Sequence, residues 1–331
     1  MAKALMVNSS NGITLANNIT RYLACANAGF SGEASSLNAQ ITYRTAGIFS
    51  NLYVRVIIND IDTSSTFRFR KNGATGAMVG SDANGNQFVT VGAFNTGEFE
   101  DNTRTDTVAA GDEVNYSVVT GAVGDTPGDL TFTLISIVFA ATTGTVVRHA
   151  TTNFPNLSDG VTYYAPLAGV GVSSTEALAK INFKAAGTVK NLFVYVSQAS
   201  SSSTNIKVRQ NGANTLLGLV CPGSTTGVFE NLISSINILA NDDLNYSIIT
   251  SVQTIFILEI ISIEYLITDL NAFHSIFSNV NGISLSPNTS YYAPIGGGGN
   301  ILGVETNFKT DLNIGGTVSN LVLYVSINTI T

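Results

Sequence analysis

The chain has 331 residues, 22 acidic against 15 basic side chains, a net charge of −7, and 44% apolar against 11% charged residues. That length buries sizeable cores without disulfide staples, and the apolar content, spread in short runs, argues against disorder. The scarcity of Lys and Arg argues against nucleic acid as a partner, and two cysteines, Cys25 and Cys221, are too few for a disulfide framework or a Cys-rich zinc site.

The opening segment holds one lysine and no apolar core of roughly 7–15 residues, so no signal peptide is predicted. ITRYLA (19–24) is a segment around Tyr22 that recurs later, and a strand is predicted in TAGIFSNLYVRV (45–56). There Leu52, Val54 and Val56 share one face with the period of a half-buried strand. FRFRKNGA (67–74) places Phe67 and Phe69 inward and Arg68 and Arg70 outward, and Asn72-Gly73 then supplies a tight turn. The polar stretch near 77–92 reads as a surface loop. After TGEFED (96–101), the Gly111-Asp112 turn leads into a strand with Val114, Tyr116 and Val118 inward.

The same order then recurs. VTYYAPLAG (161–169) and TSYYAPIGG (289–297) match the Tyr22 segment through Tyr164 and Tyr292. KAAGTVKNLFVYV (184–196) and GGTVSNLVLYV (315–325) repeat the Gly-x-x-x-Asn-Leu strand, with Leu192/Val194/Val196 and Leu321/Leu323/Val325 inward. IKVRQNGA (206–213), TGVFEN (226–231) and LANDDLNYSIITS (239–251) repeat the second half once, with Leu244, Tyr246 and Ile248 inward and about nine fewer residues before TGVFEN. The apolar stretch 254–267 carries Glu259 and Glu264, falls short of the roughly 18–20 residues of a membrane span, and reads as a buried strand or strand pair. No window sustains a helical period. The reading is all-β: tandem antiparallel β-sandwich (jelly-roll) repeats over 1–143 and 144–268, then the first half of a third over 269–331. The half copy is expected to need completion by further chain or by another chain, because half a sandwich exposes strand edges.

His149 and His274 lie near repeat starts and read as satisfied or solvent-facing linker residues, while Cys25 and Cys221 read as small buried residues without a catalytic partner. Asp112/Glu113 and Asp242/Asp243 recur, and Asp82-Ala83-Asn84-Gly85-Asn86 has alternating oxygen groups, but all read as turn residues rather than a calcium loop. Glu33, Glu176 and Glu305 recur upstream of the Gly-Asn-Leu strand and read as structural hydrogen-bond acceptors. Six Asn-x-Ser/Thr sequences, at Asn8, Asn18, Asn115, Asn156, Asn245 and Asn288, read as coincidental in so Asn/Ser/Thr-rich a chain. No catalytic residue, cofactor site or metal site is predicted.

The Gly-x-x-x-Asn-Leu strand, the basic strand ending in Asn-Gly, and the Gly-Asp turn before x-x-Asn-Tyr-Ser together resemble tumour-necrosis-factor-like jelly-roll repeats of bacteriophage and other viral structural proteins. That resemblance implies a trimeric, non-enzymatic, self-associating building block or fibre, located in the virion with other virion proteins as partners. It implies no membrane insertion. The alternative is a secreted bacterial surface adhesin or carbohydrate-binding module at the cell surface; the lack of tryptophan weighs against it. Opposite the inward Leu/Val positions stand Tyr53 and Arg55, Phe193 and Tyr195, and Tyr324. A solvated strand face normally carries Thr, Ser, Lys or Glu, so this aromatic face is predicted to be a subunit interface.

Overall fold

The computed structural model describes residues 3–268 apart from 27, 30–31, 74–87, 123–127, 153, 159 and 251–254, together with 278–279, 290 and 297–298. Tyr324, His274, Glu305, the 82–86 segment and nearly all of the predicted third repeat lie outside the described residues. The first repeat runs through β1 (Lys3–Ala16), β2 (Thr20–Ala24), β3 (Ala28–Gly29), β4 (Ile41–Thr42) and β5 (Gly47–Asn59). It continues with β6 (Ser65–Lys71), β7 (Phe88–Val91), β8 (Gly97–Val108), β9 (Glu113–Val119) and β10 (Asp129–Ala141). The second repeat begins with β11 (Thr145–Thr152), β12 (Thr162–Ala165), β13 (Gly169–Val170), β14 (Ile181–Asn182) and β15 (Gly187–Gln198). It ends with β16 (Thr204–Gln210), β17 (Ala213–Cys221), β18 (Gly227–Ile238), β19 (Asp243–Ile249) and β20 (Ile257–Ile267). Two short strands follow, β21 (Ser278–Asn279) and β22 (Gly297–Gly298).

The first two repeats are each an antiparallel sandwich. In the first, β1-β10-β5-β8 faces β2-β9-β6-β7; in the second, β11-β20-β15-β18 faces β12-β19-β16-β17. Apart from the β6–β7 and β16–β17 hairpins, successive long strands cross between the two sheets, the order of a jelly roll. Leu52, Val54, Val56, Phe67, Phe69, Val114, Tyr116 and Val118 are all buried, as are their counterparts Leu192, Val194, Val196, Ile206, Val208, Leu244, Tyr246 and Ile248. The period-two pattern therefore located the core of both sandwiches.

The recurring Gly-x-x-x-Asn-Leu sequence now has a physical account. A Cβ on Gly47 would sit 2.4 Å from the Phe139 ring, and one on Gly187 2.4 Å from the Tyr265 ring, so the core aromatic excludes any side chain. Asn51 and Asn191 adopt φ of +56° and +55° where the pairing with β8 and β18 slips through a bulge. Asn takes this left-handed conformation at lower cost than any other non-glycine residue. Leu52 and Leu192 then return the chain to the core.

Four expectations are corrected. Arg70 is not solvent-facing: it is 3% exposed, its guanidinium lies 4.8 Å from the Tyr22 ring centroid, and it donates to Ser36 Oγ (2.8 Å) and the Gly73 carbonyl (2.9 Å). The surface loop expected near 77–92 ends early, because β7 pairs with β6 and buries Val89 and Val91. His149 is no linker residue; it is fully buried in the second sandwich, stacked on Tyr265 at 6.3 Å and edge-on to Phe183 at 6.1 Å. Glu33 and Glu176 are not counterparts either. The backbone bridge between Tyr22 and Glu33 corresponds to that between Tyr164 and Ser173, which aligns Glu176 with Ser36. Arg209 donates to Glu176 Oε1 (2.7 Å) where Arg70 donates to Ser36.

Candidate functional site

The sandwiches meet through strands two residues long. β3 pairs parallel with β1 (Asn8↔Ala28, Ser9↔Gly29), β13 with β11 (Thr151↔Gly169, Thr152↔Val170), and β22 with β21 (Ser278↔Gly297, Asn279↔Gly298). The paired residues are 20, 18 and 19 positions apart along the chain. β13 also pairs parallel with β3 (Gly169↔Ala28), which joins the two large sheets into one of ten strands. The contacts run cyclically: β1 touches β22, β11 touches β3, and β21 touches β13. Each repeat's first strand thus meets another repeat's short strand, and β3, β13 and β22 meet pairwise. Within each of the first two repeats a side chain of the first strand also bonds the segment before the short strand, Asn8 Nδ2 donating to the Ala24 carbonyl (2.5 Å) and Thr151 Oγ1 to the Pro166 carbonyl.

Beside this junction the first repeat covers the outer face of the second. Arg148 and Glu264 pair across β11 and β20, both with no exposed side-chain surface. Arg148 Nη1 lies 3.3 Å from Glu264 Oε1, and Nη2 donates to Ser262 Oγ at 2.9 Å. Glu264 also accepts from the Arg44 N–H (2.8 Å), Thr45 Oγ1 (3.0 Å) and Asn191 Nδ2 (2.6 Å). The Arg148 guanidinium lies between the Tyr43 ring (5.9 Å) and the Phe193 ring (6.0 Å), and Arg44 forms an ion pair with Glu230. In the first repeat the equivalent cross-strand pair is Leu5 with Val138, in a buried cluster with Val7, Tyr53 and Leu134. One sheet face is therefore built from charge in one copy and hydrocarbon in the other.

The predicted interface residues divide on this face. Phe193 is buried where the repeats meet, and Tyr53 is buried in the Leu5–Val138 cluster. Arg55 pairs with Glu98 on the neighbouring strand β8. Tyr195 is half-buried, and burial together with the nearby Glu259 carboxylate raises its phenol pKa. Sequence reading missed Arg148 and Glu264, each of which stands alone without a counterpart in the other copy.

The recurring acidic turns serve structure. Asn72 Nδ2 donates to Asp112 Oδ1 (2.8 Å), the Glu113 N–H to Asn72 Oδ1 (2.9 Å), and the Ala109 N–H to Asp112 Oδ2 (2.8 Å). Asn211, Asp242, Asp243 and Leu239 reproduce these bonds at 2.7, 2.9 and 2.8 Å. Each Asp-containing turn is thus locked to the Asn-Gly turn, whose Asn72 and Asn211 have positive φ. The bonds from Asn211, the Leu239 N–H and Gln210 hold the Asp242 carboxyl below its usual range. Among the described residues no three His, Cys, Asp or Glu side chains stand together to hold a metal ion. Burial pushes the thiols of Cys25 and Cys221 up to about 12.

No protein-family model and no curated protein matches the chain. Among solved structures it superposes on a Paenibacillus xanthan lyase at TM-score 0.23 and 12% identity, over 80% of this chain and 25% of that one. It superposes on the STIV MCP at TM-score 0.21 and 10% identity, over 78% and 98% of the two chains. A third is the insecticidal delta-endotoxin Cry8Ea1 from Bacillus thuringiensis, at 0.18 and 10%, over 69% and 54%. The chain spans about a quarter of the lyase's length. Superpositions this loose carry no argument about function.

Proposed function

We propose that the chain is a non-enzymatic structural protein of a virus particle, a capsid-associated, fibre or decoration component built from tandem jelly rolls. The observation that supports this reading best is the junction. The parallel β3–β13 pairing, the bonds from Arg44 and Thr45 to the buried Glu264, and the Arg44–Glu230 ion pair weld the first repeat to the second. The recurring polar residues of the described repeats, Asn51, Asn72, Asp112 and their counterparts, support turns, bulges and strand contacts.

The test is fractionation of a culture that produces the protein. Peptides of the chain should co-sediment with intact particles through a density gradient and resist a salt wash. Recovery only in the cell-surface or medium fraction, with glycan-dependent binding, would replace this reading with the adhesin.

A further inference from the structure

Because the two repeats fold alike, each is a control for the other's surface. β8 and β18 form the two ends of the ten-stranded sheet, each 12 residues long. Both carry a bulge held by one side chain. Asp101 Oδ1 accepts from the N–H groups of Thr103 and Arg104 (both 3.2 Å), and Asn231 Oδ1 from those of Ile233 (3.1 Å) and Ser234 (2.9 Å). The remaining side chains differ sharply. β8 bears Glu98, Glu100, Asp101, Arg104 and Asp106, the kind of charge that keeps a sheet edge from associating. β18 bears only Glu230, already tied to Arg44.

At equivalent positions Glu98, Asn102 and Thr103 are replaced by Val228, Leu232 and Ile233, and Thr90 by Val220. Ile233 is 99% exposed at the tip of its bulge, and Leu216 on the adjacent β17 is 87% exposed. Asn231 Nδ2 donates to the Gly218 carbonyl (2.7 Å), which fastens the bulge to β17. The fold does not require these apolar groups, since the first repeat builds the same bulge from Asn102 and Thr103.

We infer that the β17–β18 flank docks against the same flank of a second copy of the chain. Charge selects this occupant. Two chains of net charge −7 repel each other except across neutral ground, and this flank is the neutral end of the sheet. A basic partner is drawn to the β8 end instead. Of the two described sheet ends, the single apolar one pairs with itself about a twofold axis and closes at a dimer, while the charges on β8 stop a head-to-tail stack from growing. This interface is independent of whether the chain resides in a virus particle.

Mass photometry and sedimentation of the full chain from nanomolar to micromolar concentration test it. The wild type is expected to reach a dimer. A Leu216→Thr/Leu232→Asn/Ile233→Thr variant should weaken that dimer roughly tenfold or more without lowering Tm. A Glu98→Val/Asn102→Leu/Thr103→Ile variant gives each chain two apolar flanks and should form species larger than dimers. Under mild oxidation Ile233→Cys should form a covalent dimer and Thr103→Cys should not, a comparison that survives if the triple variant folds poorly. A wild type that stays monomeric throughout, a folded triple variant that keeps the dimer, or equal cross-linking at both positions overturns the inference.

Discussion

Arg148 and Glu264 lose their hydration on burial, at several kcal/mol per ion, and attraction offsets that only with good geometry and further hydrogen bonds. Glu264 has those bonds, from Arg44, Thr45 and Asn191. Replacing Arg148 alone by Leu leaves its partner's charge buried and is expected to cost about 3–5 kcal/mol, read as a lower denaturant midpoint at constant slope. The double variant Arg148→Leu/Glu264→Val installs the pair the first repeat uses at Leu5 and Val138. It is expected to be more stable than either single variant. Recovery should stay incomplete, because the Arg44 N–H and the Asn191 amide lose their acceptor.

Acid titration separates two kinds of carboxylate. Arg209 lowers the Glu176 pKa, and the bonds to Asn211 and the Leu239 N–H lower that of Asp242. Their ionised forms therefore favour the fold at neutral pH, and the contribution is lost as pH falls through the depressed folded values. Glu259 is opposite: burial, then the nearby Glu33, raises its pKa, so its ionisation works against folding as pH rises through the raised value. Asp242→Asn should lower Tm at pH 7 and leave it unchanged in strong acid. Glu259→Gln should raise Tm at pH 7, with the gain fading in acid. Thermal melts of both variants across pH check the signs, and equal shifts at all pH values would remove the electrostatic account.

At the scale of elements, β5 and β15 depend on two positions each. Gly187→Ala drives a methyl group into the Tyr265 ring and the Leu266 carbonyl, at 2.4 and 2.5 Å, and overpacking of that kind costs about 1–3 kcal/mol or more. Asn51→Gly should be nearly neutral, since glycine accepts φ of +56°, whereas Asn51→Val should cost about 1–2 kcal/mol. Chemical denaturation of the three variants orders them. Strand existence and facing were legible because alternation and turn residues act locally, as at Leu52/Val54/Val56 and Asn72-Gly73. The short strands β3 and β13 were not, because two residues carry no period.

For the molecule as a whole, the shared sheet and the Arg44 contacts couple the first two repeats, so their calorimetric unfolding is expected as one transition rather than two. The thiols offer a reporter for it. Cys25 and Cys221 are buried with pKa values near 12, so maleimide should label neither in the native protein at pH 8 and both on unfolding. Rapid native labelling of Cys221 alone would show that the second repeat opens independently.

Duplication, the all-β class, the inward residues of each strand and the turn positions follow from the sequence by itself, because each rests on local spacing and local backbone preference. The tertiary structure alone decided which charges are buried. Arg68 and Arg70 alternate like any outward pair, yet Arg70 is enclosed by Tyr22 and Ser36. Arg148 finds Ser262 and Glu264 on a strand more than a hundred residues later, and Tyr43 on the neighbouring repeat. It also decided that Ser36, not Glu33, stands where Glu176 does. Such identities depend on sheet register and on how one sandwich leans on the next, and residue spacing along the chain encodes neither.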